Sequence, residues 1–508
     1  MVFQNDILAG SSGASGTSTT VHTIGQSIRF NDDDNAVLSR TISSTSSTTT
    51  NTISMWVKRG NLGNSRSGSG SDVLGQTLFQ SGRNASNFFE VNFGGTTAGA
   101  IGTSENALRI SSITGDSIIM KLNTTAIFRD TSAWYNIVAV VDTTNDVASE
   151  RLRLYVNGNR QTDFTSTTFP SKDTETELFR NTSNVLSVGA WVNPSESVRY
   201  FDGYMAEITV INGQALDPSS FGLYNDSNIW IPKDVSGLTF GTNGFHLKGE
   251  TASDLGNDSS SNNNDFTTSG LASHDQMVGE SPTNNFAVFN PVMTNDADFE
   301  FSEGNLKLDM NTNKSWYVGA GASMSMTSGK WYWESYWNSG DSYTIWGILD
   351  TEQLHALAGS SGSTTIYNQN FNGIQPNTSG TNDQYRQGAS VIATGQGGSP
   401  GGIWMFALDM DNKKMWLGYN GTWIGSGDPA GGTNETWSST YIASSSYTPI
   451  NVGYQISQHS ILTYNFGQDS TFAGNVTAGG NSDGNGIGNF KYSVPSGFLA
   501  LCTKNLGS

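Results

Sequence analysis

Cysteine is nearly absent: the 508 residues include one, Cys502. A single thiol excludes an internal disulfide, a thiolate zinc cluster and an iron–sulfur centre. Charge is scarce as well. Asp, Glu, Lys and Arg make up 14% of the chain, against about 25% in ordinary soluble domains. What charge there is leans negative, with 25 Lys and Arg against 44 Asp and Glu and a net of -19. Phosphate recognition depends on Lys and Arg, so nucleic acid and an anionic membrane surface are disfavoured as partners. No apolar run approaches the ~20 residues of a membrane span. The longest, Tyr135–Val141, is interrupted by Asn136. The opening MVFQNDILAG lacks the basic-then-apolar pattern of a secretory signal. These absences predict a soluble protein made in a reducing cytoplasm, without membrane insertion.

Aromatics, by contrast, are plentiful: 13 Trp, 25 Phe and 17 Tyr can fill real cores. Ser, Thr, Asn and 59 Gly stand where other proteins carry charge. Those residues bond the backbone locally and favour turns and strand surfaces over long helices. The chain reads as all-β, and its length asks for two or three domains.

Four regions follow. Residues 1–21 form a mildly apolar peptide and then a Gly/Ser/Thr tract, which suits a docking peptide on a flexible tether. Residues 22–228 carry short strands with turn signals between them. Ser27–Phe30, Ile53–Lys58, Phe88–Phe93, Trp134–Asp142, Arg151–Asn157, Val185–Val192 and Tyr204–Ile211 read as strands. Asn157-Gly158 suits a two-residue hairpin turn. Leu152, Leu154 and Val156 should face a core, with Arg151, Arg153 and Tyr155 toward solvent. Residues 229–283 are Ser/Asn-rich; DLGNDSSSNNND (Asp254–Asp265) reads as exposed connection and Thr239–Lys248 as a strand or two inside an inter-domain segment. Residues 284–508 hold the densest aromatics. GKWYWESYW (Gly329–Trp337) reads as a strand, and Ile403–Gly425 as a hairpin turning at Asp409–Lys413.

Four blocks in order, WYNIVAVVDTTN (Trp134–Asn145), RLRLYVNGNRQ (Arg151–Gln161), VLSVGAWV (Val185–Val192) and RYFDGYMAEITVINGQAL (Arg199–Leu216), resemble a laminin-G-like, concanavalin A-like jelly roll. SIRFNDDDNAVLSR and TISMWVKRG resemble its opening strands. The second region resembles a SPRY domain through GKWYWE (Gly329–Glu334), LDMDNKKMWLGYNGTW (Leu408–Trp423), INVGYQIS (Ile450–Ser457) and VPSGFLAL (Val494–Leu501). The two resemblances together imply two antiparallel β-sandwich (jelly-roll) domains following a short flexible N-terminal segment. The tandem order is similar to virion appendage proteins of tailed phages, which implies a virion protein assembled in the host cytoplasm.

Catalytic chemistry finds little footing. Glycoside hydrolysis needs two carboxylates about 5–10 Å apart. The nearest pair, Glu175 and Glu177, lies in a polar segment that reads as loop, and Glu334 stands alone among aromatics. The five histidines, His22, His246, His274, His355 and His459, show no metal-ligand spacing. The expectation is no enzyme. Calcium is the one cofactor to consider, because the jelly-roll resemblance implies it and hard cations want clustered oxygens. Its candidate ligands are Asp32, Asp33, Asp34 and Asp483.

Glycan binding needs rings for sugar faces beside groups that bond hydroxyls. Trp423, Trp437, Tyr441 and Tyr447 fall in or beside loops rich in Gly, Ser, Thr and Asn, and the SPRY resemblance points to the same loops. Trp191 and Tyr200 are the counterparts in the first region. The expected function is a tail or head fibre or spike subunit that binds host-surface glycan or protein during adsorption. It would be a homo-oligomer joined to other virion proteins through residues 1–20. Two alternatives stand beside it, a non-binding decoration protein and a polysaccharide depolymerase.

Overall fold

The computed structural model describes residues 22–62, 75–95, 105–193, 196–294, 299–310, 318–340, 344–356, 371–376, 383–395, 397–453 and 460–506. The docking peptide and tether expected at residues 1–21 lie outside them. The described residues divide into two compact units, one ending at Thr283 and one beginning at Asn284. Each is built of antiparallel sheets.

In the first unit one eight-stranded sheet runs, edge to edge, through Asn159–Arg160, Leu152–Val156, Trp134–Asp142, Thr50–Arg59, Gly203–Asn212, Gln26–Phe30 and Gln276–Val278, with Phe245–Leu247 also on Gly203–Asn212. The other runs through Phe164–Thr168, Ser117–Ile127, Ala107–Thr114, Asn87–Gly94, Gly75–Asn84, Val185–Val188, Val37–Thr41 and Thr267–Ser269. Alternate side chains of both meet in one core, including Phe30, Met55, Ile137, Leu154 and Met205 from the first and Phe79, Phe89, Leu108 and Leu186 from the second. Two facing sheets with a shared interior make a β-sandwich.

The expected strands are present with ends shifted by at most three residues, except Val185–Val192, which breaks after Val188. Gly189 sits there at φ 88°, and a Cβ on it would lie 2.4 Å from the Phe30 ring. The chain leaves the sheet and pairs Trp191–Asn193 with Glu196–Val198 instead. Leu152, Leu154 and Val156 face the core as expected, but Tyr155 is not in solvent. It is buried under a second layer with Val138, Val140, Ile211, Phe221, Val235 and Phe240.

Residues 229–283, expected as an inter-domain segment, belong to this sandwich. Gln276–Val278 pairs with Gln26–Ile28, Phe245–Leu247 with Gly203–Asn212, and Thr267–Ser269 with Val37–Thr41. Asp254–Asp265 is no loose exposed connection either. The buried Asp258 carboxylate accepts from the backbone N–H groups of His246, Ser260 and Asn264 and from the Ser260 hydroxyl, at 2.7–2.9 Å. A polar sequence is ordered here by satisfied hydrogen bonds, with only Leu255 and Phe266 entering the core.

Asn157 and Gly158 have φ 48° and 74°, the two positive values a type I′ hairpin needs. A Cβ at Gly158 would lie 2.5 Å from the Trp230 ring, which Asn136 fixes by accepting from Trp230 Nε1 at 2.9 Å. Gly158→Ala should therefore lose about 2 kcal/mol, from left-handed strain plus this clash. Thermal melting checks it; Asn157→Gly, which relieves the positive φ but takes away the Oδ1 that accepts from the buried Asn136 N–H at 2.7 Å, should lose about 1 kcal/mol.

The second unit has one sheet through Phe299–Ser302, Lys307–Met310, Ser460–Asn465, Lys330–Ser339, Ile403–Asp409, Lys414–Tyr419 and Thr422–Trp423. The facing sheet holds Val318–Gly321, Tyr447–Gly453, Thr344–Asp350, Phe371–Gln375, Asp383–Gln387 and Ser390–Gly395. Fully buried indoles join the layers. Trp346 of the second sheet lies 5.8 Å from Trp337 and 6.5 Å from Trp404 of the first, between ring centroids. The expected hairpin forms, with strands Ile403–Asp409 and Lys414–Tyr419 and Asp409 opposite Lys414, so that Asp409 ends the first strand and the turn proper is 410–413.

Candidate ligand-binding site

One edge of the first sandwich is shaped by one continuous stretch. Leu152–Val156 and Asn159–Arg160 close the edge of one sheet. Gln161 donates its N–H to the Leu154 carbonyl at 2.8 Å, and the chain then crosses to Phe164–Thr168, the edge strand of the other sheet. Between these edges opens a cavity of about 380 Å³. Phe164 and Phe169, half-buried against the core, supply aromatic wall. Ser149, Thr162, Thr167 and Gln161 supply hydroxyls and an amide, and Arg153 and Arg160 supply cations. Among the described residues no Asp or Glu lines it.

The three arginines of this stretch differ in their partners. Arg151 donates to the carbonyls of Asn145, Pro170 and Asp146 at 2.7, 2.9 and 3.0 Å, which fixes the loop behind the cavity. Arg160 is forked onto Glu150, Nη2 to Oε1 at 2.8 Å and Nη1 to Oε2 at 3.2 Å, and donates to the Ser149 carbonyl at 3.0 Å. Arg153 reaches Glu150 only at 3.9 Å, and its enclosed Nε has no hydrogen-bond partner. The lining can stack against a ring, bond hydroxyls and hold an anion. It offers no carboxylate pair for glycosidic cleavage.

The residues expected to bind ligand are placed differently. Trp437 is fully buried, with Nε1 donating to the Arg386 carbonyl at 3.1 Å and its ring 5.9 Å from that of Tyr385. Tyr447 is also fully buried, in a central strand, its hydroxyl accepting from the Ser444 N–H at 3.1 Å. Trp191 packs edge-on to Phe88 at 5.8 Å and is 3% exposed. These three are corrected to core positions, since a covered ring cannot meet a sugar. Trp423, Tyr441 and Tyr200 stay half-exposed. None of the six lines the cavity. Sequence reading passed over the cavity because its aromatics are two spaced Phe residues in FTSTTF, not a Trp/Tyr loop cluster.

Calcium fares no better at Asp483. Its Oδ1 accepts from the N–H groups of Asn485 and Ile487, and its Oδ2 from the Ala500 N–H and Asn505 Nδ2, all at 2.8–2.9 Å. A carboxylate saturated by four donors is a turn anchor, and the residues do not fit a cation there. Asp32–Asp34 form a 3-10 turn ending at Asn35 with φ 56°. Asp32 accepts from Asn61 Nδ2 at 3.3 Å and Asp34 from Asn31 Nδ2 at 2.8 Å. Among the described residues no three His, Cys, Asp or Glu side chains converge on a metal position.

The other carboxylates considered for catalysis do not line the cavity. Glu177 is buried against Arg83 at 2.8 Å and Arg180 at 3.2 Å, whereas Glu175 is 60% exposed. Glu334 is buried at the centre of the second unit, accepting from Tyr332, Asn465 and two backbone N–H groups. Burial holds its carboxyl above the ordinary range in spite of those donors.

Residues 30–220 match the family model described as the concanavalin A-like lectin/glucanases superfamily, of the laminin G type. The first unit has the concanavalin A-like fold. No curated protein matches the chain. Among solved structures, it is similar to the SPRY domain of human HERC1, at 14% identity over 32% of this chain and 88% of that one, TM-score 0.24. It is also similar to the PSpry domain of TRIM65, at 13% identity over 35% and 92%, TM-score 0.25. A third similarity is to the native heptameric SAP-like pentraxin from Limulus polyphemus, at 11% identity over 39% and 80%, TM-score 0.27.

Proposed function

We propose that this chain is a non-enzymatic virion appendage subunit, of a tail or head fibre or spike, that binds host-surface saccharide during adsorption. The observation carrying the binding half is the edge cavity, where two phenyl rings stand beside hydroxyls, an amide and two guanidiniums. The match of residues 30–220 to a lectin/glucanase family model supports a carbohydrate over a peptide ligand. The virion half rests on the tandem order of the two sandwiches and the scarcity of charge, since a neutral polar surface resists nonspecific sticking. One open cavity of this size binds weakly. Many copies on a particle would raise effective concentration and convert weak contacts into firm attachment.

Immunogold labelling should find the chain on intact particles, and the purified protein should block adsorption to host cells. Labelling absent from particles removes the virion reading. New reducing ends released from host polysaccharide would replace the adhesin by a depolymerase.

A further inference from the structure

We infer that the edge cavity takes a carboxylate-bearing saccharide, with the sugar acid seated on Arg153; this rests on the saccharide-binding reading above. The cations around the cavity are not equivalent. Arg151 spends its guanidinium on three carbonyls behind the wall, and Arg160 is neutralised by its fork onto Glu150. One carboxylate, Glu150, thus stands between two guanidiniums, closer to Arg160 than to Arg153, and the trio keeps a net positive charge in a chain whose net charge is -19. Its Nε is enclosed without an acceptor, and the nearest carboxylate oxygen is 3.9 Å away, beyond hydrogen-bond reach. That nitrogen is covered, so an acid entering the cavity meets the terminal nitrogens of the guanidinium, which carry no hydrogen bond to the described residues. A planar guanidinium best matches a planar carboxylate, two N–H groups to two oxygens.

The rest of the lining describes what carries that acid. Phe164 and Phe169 offer apolar faces, and Thr162, Thr167 and Gln161 offer bonds to hydroxyls. An apolar ring face, several hydroxyls and one carboxylate together are a uronic acid. The volume, about 380 Å³, lies at the small end of the roughly 300–1,000 Å³ range of ligand sites and suits one or two sugar rings. The negative charge of the whole molecule opposes a long polyanion, but that field is screened beyond about 8 Å at physiological salt. The local arginine therefore decides.

Titration calorimetry on the full chain at physiological salt tests this. The probes are alginate, polygalacturonate and hyaluronan oligosaccharides, each beside its carboxyl-reduced counterpart. At least one acid form should bind about tenfold or more tighter than its reduced partner. Arg153→Gln should erase that difference without shifting the melting temperature. Glu150→Gln should tighten the acid by a few-fold and leave the reduced form unchanged, which keeps the test open if Arg153→Gln fails to fold. Equal binding of acid and reduced forms overturns the assignment of the acid while the saccharide site stands. Binding of none of the probes overturns both.

Discussion

Glu280→Ala should unfold the first unit under conditions where the parent chain is stable. Lys58 and Glu280 are both fully buried, with Nζ to Oε1 at 3.3 Å, and the same oxygen accepts from Trp134 Nε1 at 2.9 Å. Burial pulls the Lys58 ammonium below its ordinary pKa and Glu280 opposes that pull, so the ammonium depends on the carboxylate to stay charged. Removing one member of a buried pair costs about 3–5 kcal/mol, because the other charge is left in an apolar surrounding. That is a large share of the roughly 5–15 kcal/mol that holds a domain together. Circular dichroism melting should show the first transition collapse while that of the second unit stays. The double variant Lys58→Met with Glu280→Leu should recover most of the loss, since replacing both charges with apolar volume is often neutral. If the double variant melts as low as the single one, the pair matters for its shape and not for its charge.

The same residues explain what the sequence displayed and what it hid. Strands such as Trp134–Asp142 and the Asn157-Gly158 hairpin were legible because period-two alternation and a positive-φ dipeptide are local signals. Within residues 229–283 the strand expected in Thr239–Lys248 is there, at Phe245–Leu247. That the segment belongs to the first sandwich was not legible, because long-range polar pairs help hold it and these leave no local pattern. Arg29 bonds Asp275 at 3.0 Å across 246 residues, and Lys58 bonds Glu280 across 222. A window of sequence shows a Ser/Asn-rich stretch and cannot show a partner two hundred residues away. The site failed for a related reason. Trp437 and Tyr447 sit in or beside polar loops, and a ring folded beneath its loop has the same neighbours in sequence as one displayed above it. The edge cavity needs two sheets to stop at one place, which is a property of topology.

Glu334→Ala should be the most damaging single change in the second unit. The Glu334 carboxylate ties three separated parts of the chain together. It accepts from the Tyr332 hydroxyl at 2.8 Å on its own strand, from Asn465 Nδ2 at 3.2 Å on the neighbouring strand, and from the N–H groups of Lys491 and Tyr492 at 2.8 Å. Hydrogen bonds to a charged group contribute about 1.5–3 kcal/mol each, so four orphaned donors should cost well over 3 kcal/mol even without additivity. At roughly 2–4 °C per kcal/mol for a unit of this size, the melting temperature should fall by about 6 °C or more.

Glu334→Gln separates the charge from the shape. Its amide nitrogen must face one of the two backbone N–H groups, donor against donor, at a cost of about 1–3 kcal/mol. The pH dependence then has a definite sign. Burial raises the folded pKa of Glu334 above the ordinary 4.5, so between that value and the folded pKa the native state holds the extra proton. Its contribution is complete below about 4.5 and is lost as pH rises through the folded pKa. Glutamine does not titrate. The melting gap between parent and Glu334→Gln should therefore be widest in mild acid and narrow as the pH is raised. A gap that widens with rising pH would mean that the four donors outweigh burial and hold the carboxyl below its ordinary value.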